Sequence, residues 1–143
     1  MQKVDDLNEA DLILVGPSRT SKTPTSFYLA YRGWKVANIP IVLGLEPPET
    51  LRGLDARKVV GLTTDPQRLA LIRQERLKNM GAQAPSASYA DLRHIQQELQ
   101  YSLRLCKMYR WPVINVTGKA VEETASEIVN LVAPHPREIA GKT

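Results

Sequence analysis

The sequence predicts an α/β fold: a parallel sheet of about four strands with helices on both faces. Three observations predict it. Short apolar runs recur along the chain, "DLILVG", "KVVGLTT" and "WPVINVT" among them, with the length and β-branched content of fully buried strands. Segments of helical spacing alternate with these runs. Helix start and stop signals stand between the two kinds, such as Asp65–Pro66 and Gly33. Strands alternating with helices pair in parallel, because each crossover lays a helix on the sheet.

In order, "DLILVG" is the first strand, and a helix is expected from Lys22 to about Arg32, with Pro24 in its first turn, where a missing N–H costs little. "WKVANIPIV" is a second strand limited by Pro40, and "LEPPETLRGLD" a loop with a short helix. "KVVGLTT" is the third strand. Asp65 as N-cap and Pro66 then open a helix to about Asn79, stopped by Gly81. "AQAPSAS" is a loop. A long helix follows from Tyr89, with Leu92, Ile95, Leu99, Leu103 and Cys106 on its apolar stripe. "WPVINVT" is the fourth strand, and the last helix covers about Val121 to Leu131, with Val121, Ala125, Ile128 and Val132 aligned. The expected organisation is a flexible N-terminus at 1–10, one domain at 11–132 and a flexible tail at 133–143.

The 143 residues are 43% hydrophobic, enough for a core without staples. A net charge of +4 suits a phosphate-bearing ligand or an acidic partner, although a bland soluble domain can carry as much. There is no dense Lys/Arg run and only 6% aromatic content, so no nucleic-acid partner is expected. No apolar run reaches the length of a membrane span, and the start lacks a signal-peptide core, so no membrane partner is expected. The single cysteine, Cys106, fits a reducing cytoplasm and a place in the core. His94 and His135 are given no role, and without a His/Cys cluster no zinc site is expected.

The first strand runs into "GPSRTSKT", which opens the first helix. Ligands of open parallel sheets bind beyond the carboxyl ends of strands, and this is where a P-loop sits. Gly16, Lys22 and Thr23 match its G-x-x-x-x-G-K-[ST] spacing, with Ser21 in place of the second glycine. Backbone N–H groups at a helix start attract an anion. Gly16 permits the sharp exit from the strand, Lys22 can reach terminal phosphates, and the Thr23 hydroxyl suits magnesium. Ser18, Arg19, Thr20 and Ser21 add donors. The plain alternative is a capped helix with Lys22 solvated. Read as a site, the segment makes the fold P-loop kinase-like.

Other residues fall at the same edge. Asp65 could hold magnesium or act as a base, or it is only a helix cap. Arg73 and Arg76, three apart on one helix, could close over a transferring phosphoryl group, or lie on a solvated face with Glu75. Thr117, Gly118 and Lys119 could contact a nucleotide base, or form an ordinary turn. Asn38 and Pro40 follow the second strand and could face a substrate. Asp11 precedes the first strand and is not assigned catalysis.

The stretch "GPSRTSKTPTSFYLAYRGWKVANIPIV" resembles the pyruvate,phosphate dikinase regulatory protein family, known also as the phosphoenolpyruvate synthetase regulatory proteins. "VVGLTTDPQRLALIRQERL", "YADLRHIQQEL" and "PVINVTGKAVEETASEIV" are similar to it in the same order, so the resemblance covers roughly 9–132. It implies a bifunctional enzyme. One activity is a serine/threonine-protein kinase that uses ADP to phosphorylate a threonine of the dikinase or synthetase. The other removes that phosphate with inorganic phosphate and releases pyrophosphate. The family's nucleotide loop falls on Gly16, Pro17, Ser18, Arg19, Thr20, Ser21, Lys22 and Thr23. The implied ligands are ADP, phosphate and Mg2+; the implied partner is pyruvate,phosphate dikinase or phosphoenolpyruvate synthetase, and a homodimer is left open. Two departures stand out. Family chains carry a further N-terminal half before this loop, so the resemblance is to the C-terminal P-loop half. Pro17 replaces a small aliphatic residue and removes one loop N–H. Two other readings remain: a nucleotide- or phosphate-binding module without independent catalysis, and an ATP-dependent small-molecule kinase.

Overall fold

The computed structural model describes Leu7, residues 9–80 and residues 90–132. The expected stop at Gly81, the loop at 82–88, the start at Tyr89, and the tail with His135 lie outside the described residues. Four strands, β1 (Leu12–Gly16), β2 (Val36–Pro40), β3 (Val59–Thr63) and β4 (Val113–Asn115), form one sheet in the order β2-β1-β3-β4. Every pairing is parallel, with Leu14 opposite Asn38 and Val60, and Leu62 opposite Ile114. The helices are α1 (Lys22–Tyr31), α2 (Glu49–Arg52), α3 (Pro66–Met80), α4 (Leu92–Tyr109) and α5 (Val121–Val132). The α/β class, the strand count and the parallel pairing agree with the sequence.

β1 is buried along its whole length, as a central parallel strand must be. Its side chains alternate between two cores. Ile13 and Val15 join Ala37, Ile39, Val59, Leu105, Cys106 and Trp111 on one face. Leu12 and Leu14 join Leu29, Val60, Leu62, Ile114, Ala125 and Ile128 on the other. α4 therefore covers the first face, and α1 and α5 cover the second. Leu7 and Ala10 pack into the first core, so the folded unit reaches ahead of Asp11. A third cluster, Leu69, Ala70, Ile95 and Leu99, joins α3 to α4. At the N-terminal edge of the sheet the Asp11 carboxylate accepts from the Lys35 N–H at 2.9 Å.

The stripe expected on α4 is corrected. Leu92 and Leu103 are exposed, while Ile95, Leu99, Ser102, Leu105 and Cys106 are buried. The phase set by Ile95 and Leu99 continues to Ser102 and Cys106 and leaves Leu103 on the outer side. On α5 the buried residues are Thr124, Ala125 and Ile128, with Val121 and Val132 only partly covered.

Strand order decides where a ligand can sit. β1 connects to β2 on one side, and the chain returns to β3 on the other side of β1. The crevice of such a sheet opens at this reversal, beyond the carboxyl ends of β1 and β3. The backbones are very close there: a Cβ on Gly16 would lie 2.5 Å from the Leu62 carbonyl oxygen, and Gly16 has a φ of 150°.

Candidate phosphate-binding site

The loop from Gly16 to Lys22 leaves β1 and turns into α1 at the crevice. Arg19 and Ser21 both sit at φ 66°, the left-handed region that side chains avoid. Ser21, standing where a glycine is expected, takes the conformation a glycine would take. The loop holds this shape with its own groups. The Thr20 hydroxyl donates to the Pro17 carbonyl at 2.8 Å, and the Lys22 ammonium donates to the same carbonyl at 2.6 Å. Lys22 also reaches the Thr20 hydroxyl at 3.3 Å. Further on, the Ser26 hydroxyl donates to the Thr23 carbonyl at 2.8 Å and accepts from the Asn38 amide at 3.2 Å, tying α1 to β2.

Lys22 is only 8% exposed, so the solvated alternative is excluded. Burial, reinforced by the positive charges of Arg73 and Arg19, pulls its ammonium from 10.5 down to about 8. A lysine held this way is short of a counter-charge, which a phosphate oxygen would supply.

Two cavities flank the loop. The larger, about 550 Å³, is lined by Ser18, Lys22, Thr23, Pro24, Asn38 and Pro40. The smaller, about 230 Å³, is lined by Thr64, Arg68, Val116, Thr117, Gly118 and Lys119. Arg19, Ser21 and Ile72 line both. Thr23, exposed and beside Lys22, is the residue whose hydroxyl fits a magnesium ion next to a bound anion.

The remaining sequence candidates divide. Asp65 lines neither cavity; its carboxylate accepts from the Arg68 N–H at 3.2 Å and caps α3, so its observed work is that of a cap. Thr117 lines the smaller cavity and is also a brace. Its hydroxyl accepts from the Asp65 N–H at 2.7 Å and lies 3.0 Å from the Thr64 hydroxyl, joining the ends of β3 and β4. Lys119 lines the same cavity and pairs with Glu127 at 2.6 Å. Arg73 and Arg76 are separated despite their spacing. Arg76 is exposed in a groove with Arg19, Arg68, Leu71, Ile72 and Glu75. Arg73 is only 1% exposed, reaches the loop from behind and bonds to Ser18 and Glu98.

The profile of the kinase/pyrophosphorylase family matches residues 1–129. The chain belongs to this family. A Bdellovibrio bacteriovorus protein named "Putative pyruvate, phosphate dikinase regulatory protein" is 51% identical over 129 residues, 90% of this chain and 46% of that protein. Proteins of the same name from Geotalea daltonii and Pelobacter propionicus are 51% and 47% identical, covering 90% and 96% of this chain and 48% and 49% of their own length. The chain thus spans about half the length of the curated relatives it matches.

In this kinase/pyrophosphorylase chain, sequence reasoning missed Thr64, Ile72 and Glu98. Thr64 carried a readable signal, since it directly follows a strand at the ligand edge. Ile72 looks like any apolar helix residue, and Glu98 acts through a contact 25 positions away. Among the described residues, no group of three or more His, Cys, Asp and Glu could hold a metal ion, and no helix is long and apolar enough to cross a membrane.

Proposed function

We propose that this chain is the nucleotide- and phosphate-handling part of a regulatory phosphotransferase acting on a threonine of pyruvate,phosphate dikinase or phosphoenolpyruvate synthetase. In the forward direction the threonine hydroxyl takes the β-phosphoryl group of ADP, loses its proton and releases AMP. In the reverse direction inorganic phosphate takes the phosphoryl group from phosphothreonine, pyrophosphate leaves and the hydroxyl is restored. Both steps need one phosphoryl group held among fixed positive charges, because charge placement dominates phosphoryl transfer.

The observation that carries the reading is buried Lys22, seated on the Pro17 carbonyl in a preformed loop between two cavities. The loop N–H groups and Lys22 would hold the phosphates, and Arg19, common to both cavities, would face the transferred group. Thr23 would hold a magnesium ion, which when bound neutralises phosphate charge. Two cavities sharing Arg19, Ser21 and Ile72 suit a reaction with a donor on one side and an acceptor on the other.

The test is calorimetric titration of the chain with ADP and with ATP, each with magnesium, beside Lys22→Ala. ADP is expected to bind, and Lys22→Ala to lose roughly ten- to a hundredfold, because charge-assisted contacts contribute about 1.5–3 kcal/mol. Binding of neither nucleotide overturns the reading. ADP binding without transfer to either target enzyme would leave a binding module, and turnover of small acceptors with ATP would favour the small-molecule kinase.

A further inference from the structure

Arg73 is among the largest fully buried side chains of the protein, and it carries a charge. Its guanidinium holds groups on different elements. One nitrogen pairs with the Glu98 carboxylate of α4 at 2.5 Å, and the other donates to the Ser18 carbonyl and hydroxyl, each at 3.2 Å. Glu98 is itself only 13% exposed. The α3–α4 contact that sets this pair is apolar: Leu69 and Ala70 precede Arg73 on α3, while Ile95 and Leu99 flank Glu98 on α4.

A buried ion pair contributes little net stability compared with an apolar pair of the same volume. Stability alone is therefore a weak account of this one. Its geometry gives a better account. Ser18 immediately precedes Arg19, the first of the two left-handed residues of the loop. A bond to the Ser18 carbonyl fixes the peptide plane that carries the Arg19 N–H, and so fixes where that N–H points. The planar guanidinium suits the task because one edge can hold a carboxylate while the other holds the loop.

We propose that Glu98 is a positioning residue for the phosphate loop: it holds the Arg73 guanidinium against Ser18 and so sets the loop's N–H groups for an anion. Through this brace, the packing of α4 on α3 reaches the loop at Ser18. The ligand arm of the test rests on the proposed function; the loop arm does not.

Glu98→Gln separates positioning from charge. Removing a negative charge near an anion site should tighten binding by Coulomb's law. Loss of positioning should weaken it. In phosphate-free buffer, pyrophosphate and ADP titrated calorimetrically are expected to bind Glu98→Gln roughly tenfold more weakly than the wild type, by the order of one charge-assisted bond. Arg73→Lys, which keeps the charge and loses the fork, should show the same weakening, and the double variant should be no worse than Arg73→Lys alone. Equal or tighter binding by Glu98→Gln overturns the proposal. Hydrogen exchange without ligand gives the independent arm. Amides of 16–23 should exchange roughly tenfold faster in Glu98→Gln while those of α5 do not change, the signature of a local opening. Unchanged loop exchange overturns the proposal. If the wild type binds neither pyrophosphate nor ADP, the proposed function fails, and the exchange arm still decides the brace. If Glu98→Gln does not fold, Ser18→Ala opens the clamp from its exposed end. It should raise loop exchange about threefold, an expectation scaled to losing one of two bonds, and no rise overturns the proposal.

Discussion

Replacing Lys22 by Met should make the protein more stable, and the gain should depend on pH. The fall of the ammonium from 10.5 to about 8 means that the folded chain holds this charge at a cost. At 1.36 kcal/mol per tenfold change in proton affinity, that cost is about 3 kcal/mol at neutral pH. Met has nearly the same length and no charge. The Pro17 carbonyl that loses the ammonium keeps the Thr20 hydroxyl as donor, so no acceptor is orphaned. A net gain of about 1–3 kcal/mol is therefore expected at pH 7. The sign of the pH dependence follows from the direction of the shift. Between about pH 8 and pH 10.5 the unfolded chain binds more protons at this site than the folded chain, so wild-type stability rises with pH in that window. Lys22→Met lacks the group and does not share the rise. Urea unfolding of both proteins at pH 7 and pH 10, in phosphate-free buffer, reads the difference directly, because other titrating groups are common to both. The advantage of Lys22→Met should be present at pH 7 and largely gone by pH 10. A variant less stable than the wild type at pH 7, or a gain unchanged at pH 10, refutes the claim that this lysine is a buried, uncompensated charge.

Other outcomes follow from the same geometry. ADP affinity should fall by up to about fivefold between pH 8 and pH 9, as Lys22 loses its proton, and titrations across that range read it. Gly16→Ala should destabilise by about 3 kcal/mol or more in urea unfolding, since the new Cβ meets the Leu62 carbonyl at 2.5 Å in a backbone conformation that alanine avoids. A Cβ on Gly61 would meet the Cys106 sulfur at 2.5 Å, so Gly61→Ala should cost about 1–3 kcal/mol. Adding Cys106→Ala should recover part of that loss, which a double-mutant cycle measures. Burial pushes the Cys106 thiol up to about 11, so a thiol reagent at pH 8 should label the native protein far more slowly than the unfolded one.

The strands were legible because a buried parallel strand leaves a continuous apolar run, and β1 and β3 do so without interruption. α3 was legible from its cap, and the Asp65 carboxylate does bond the Arg68 N–H. The face of α4 was misread for a definite reason. Counting apolar residues selects Leu103, whereas helical phase selects Ser102, and phase prevails over composition. The place of the loop between β1 and α1 could be read from spacing and context. Its state could not: that Lys22 folds back on the Pro17 carbonyl depends on the loop's three-dimensional path. Arg73 and Arg76 show the same limit. Three residues apart, they share a helix face, yet one is buried and the other exposed, because Arg73 meets Glu98 and Ser18 while Arg76 lies in the outer groove. Both partners are distant in sequence, so no local pattern announces them.

The unfavourable features of this fold collect at one place. Two side-chain-bearing residues, Arg19 and Ser21, hold left-handed conformations at a cost of roughly 1–2 kcal/mol each. Beside them lies a buried ammonium whose charge is held at a cost. Glycine at both positions would remove the first cost, and apolar Met at Lys22 the second. Lys22 does something that Met would not. The Thr20 hydroxyl and the Lys22 ammonium close the loop on the Pro17 carbonyl, and Arg73 clamps it at Ser18. A loop with glycine at both positions would have more freedom to lose when an anion binds. This loop has its shape beforehand, so an arriving phosphate needs only to supply the missing charge. On the proposed function, an anion would relieve the buried charge at the end of the central strand and use the strained loop shape.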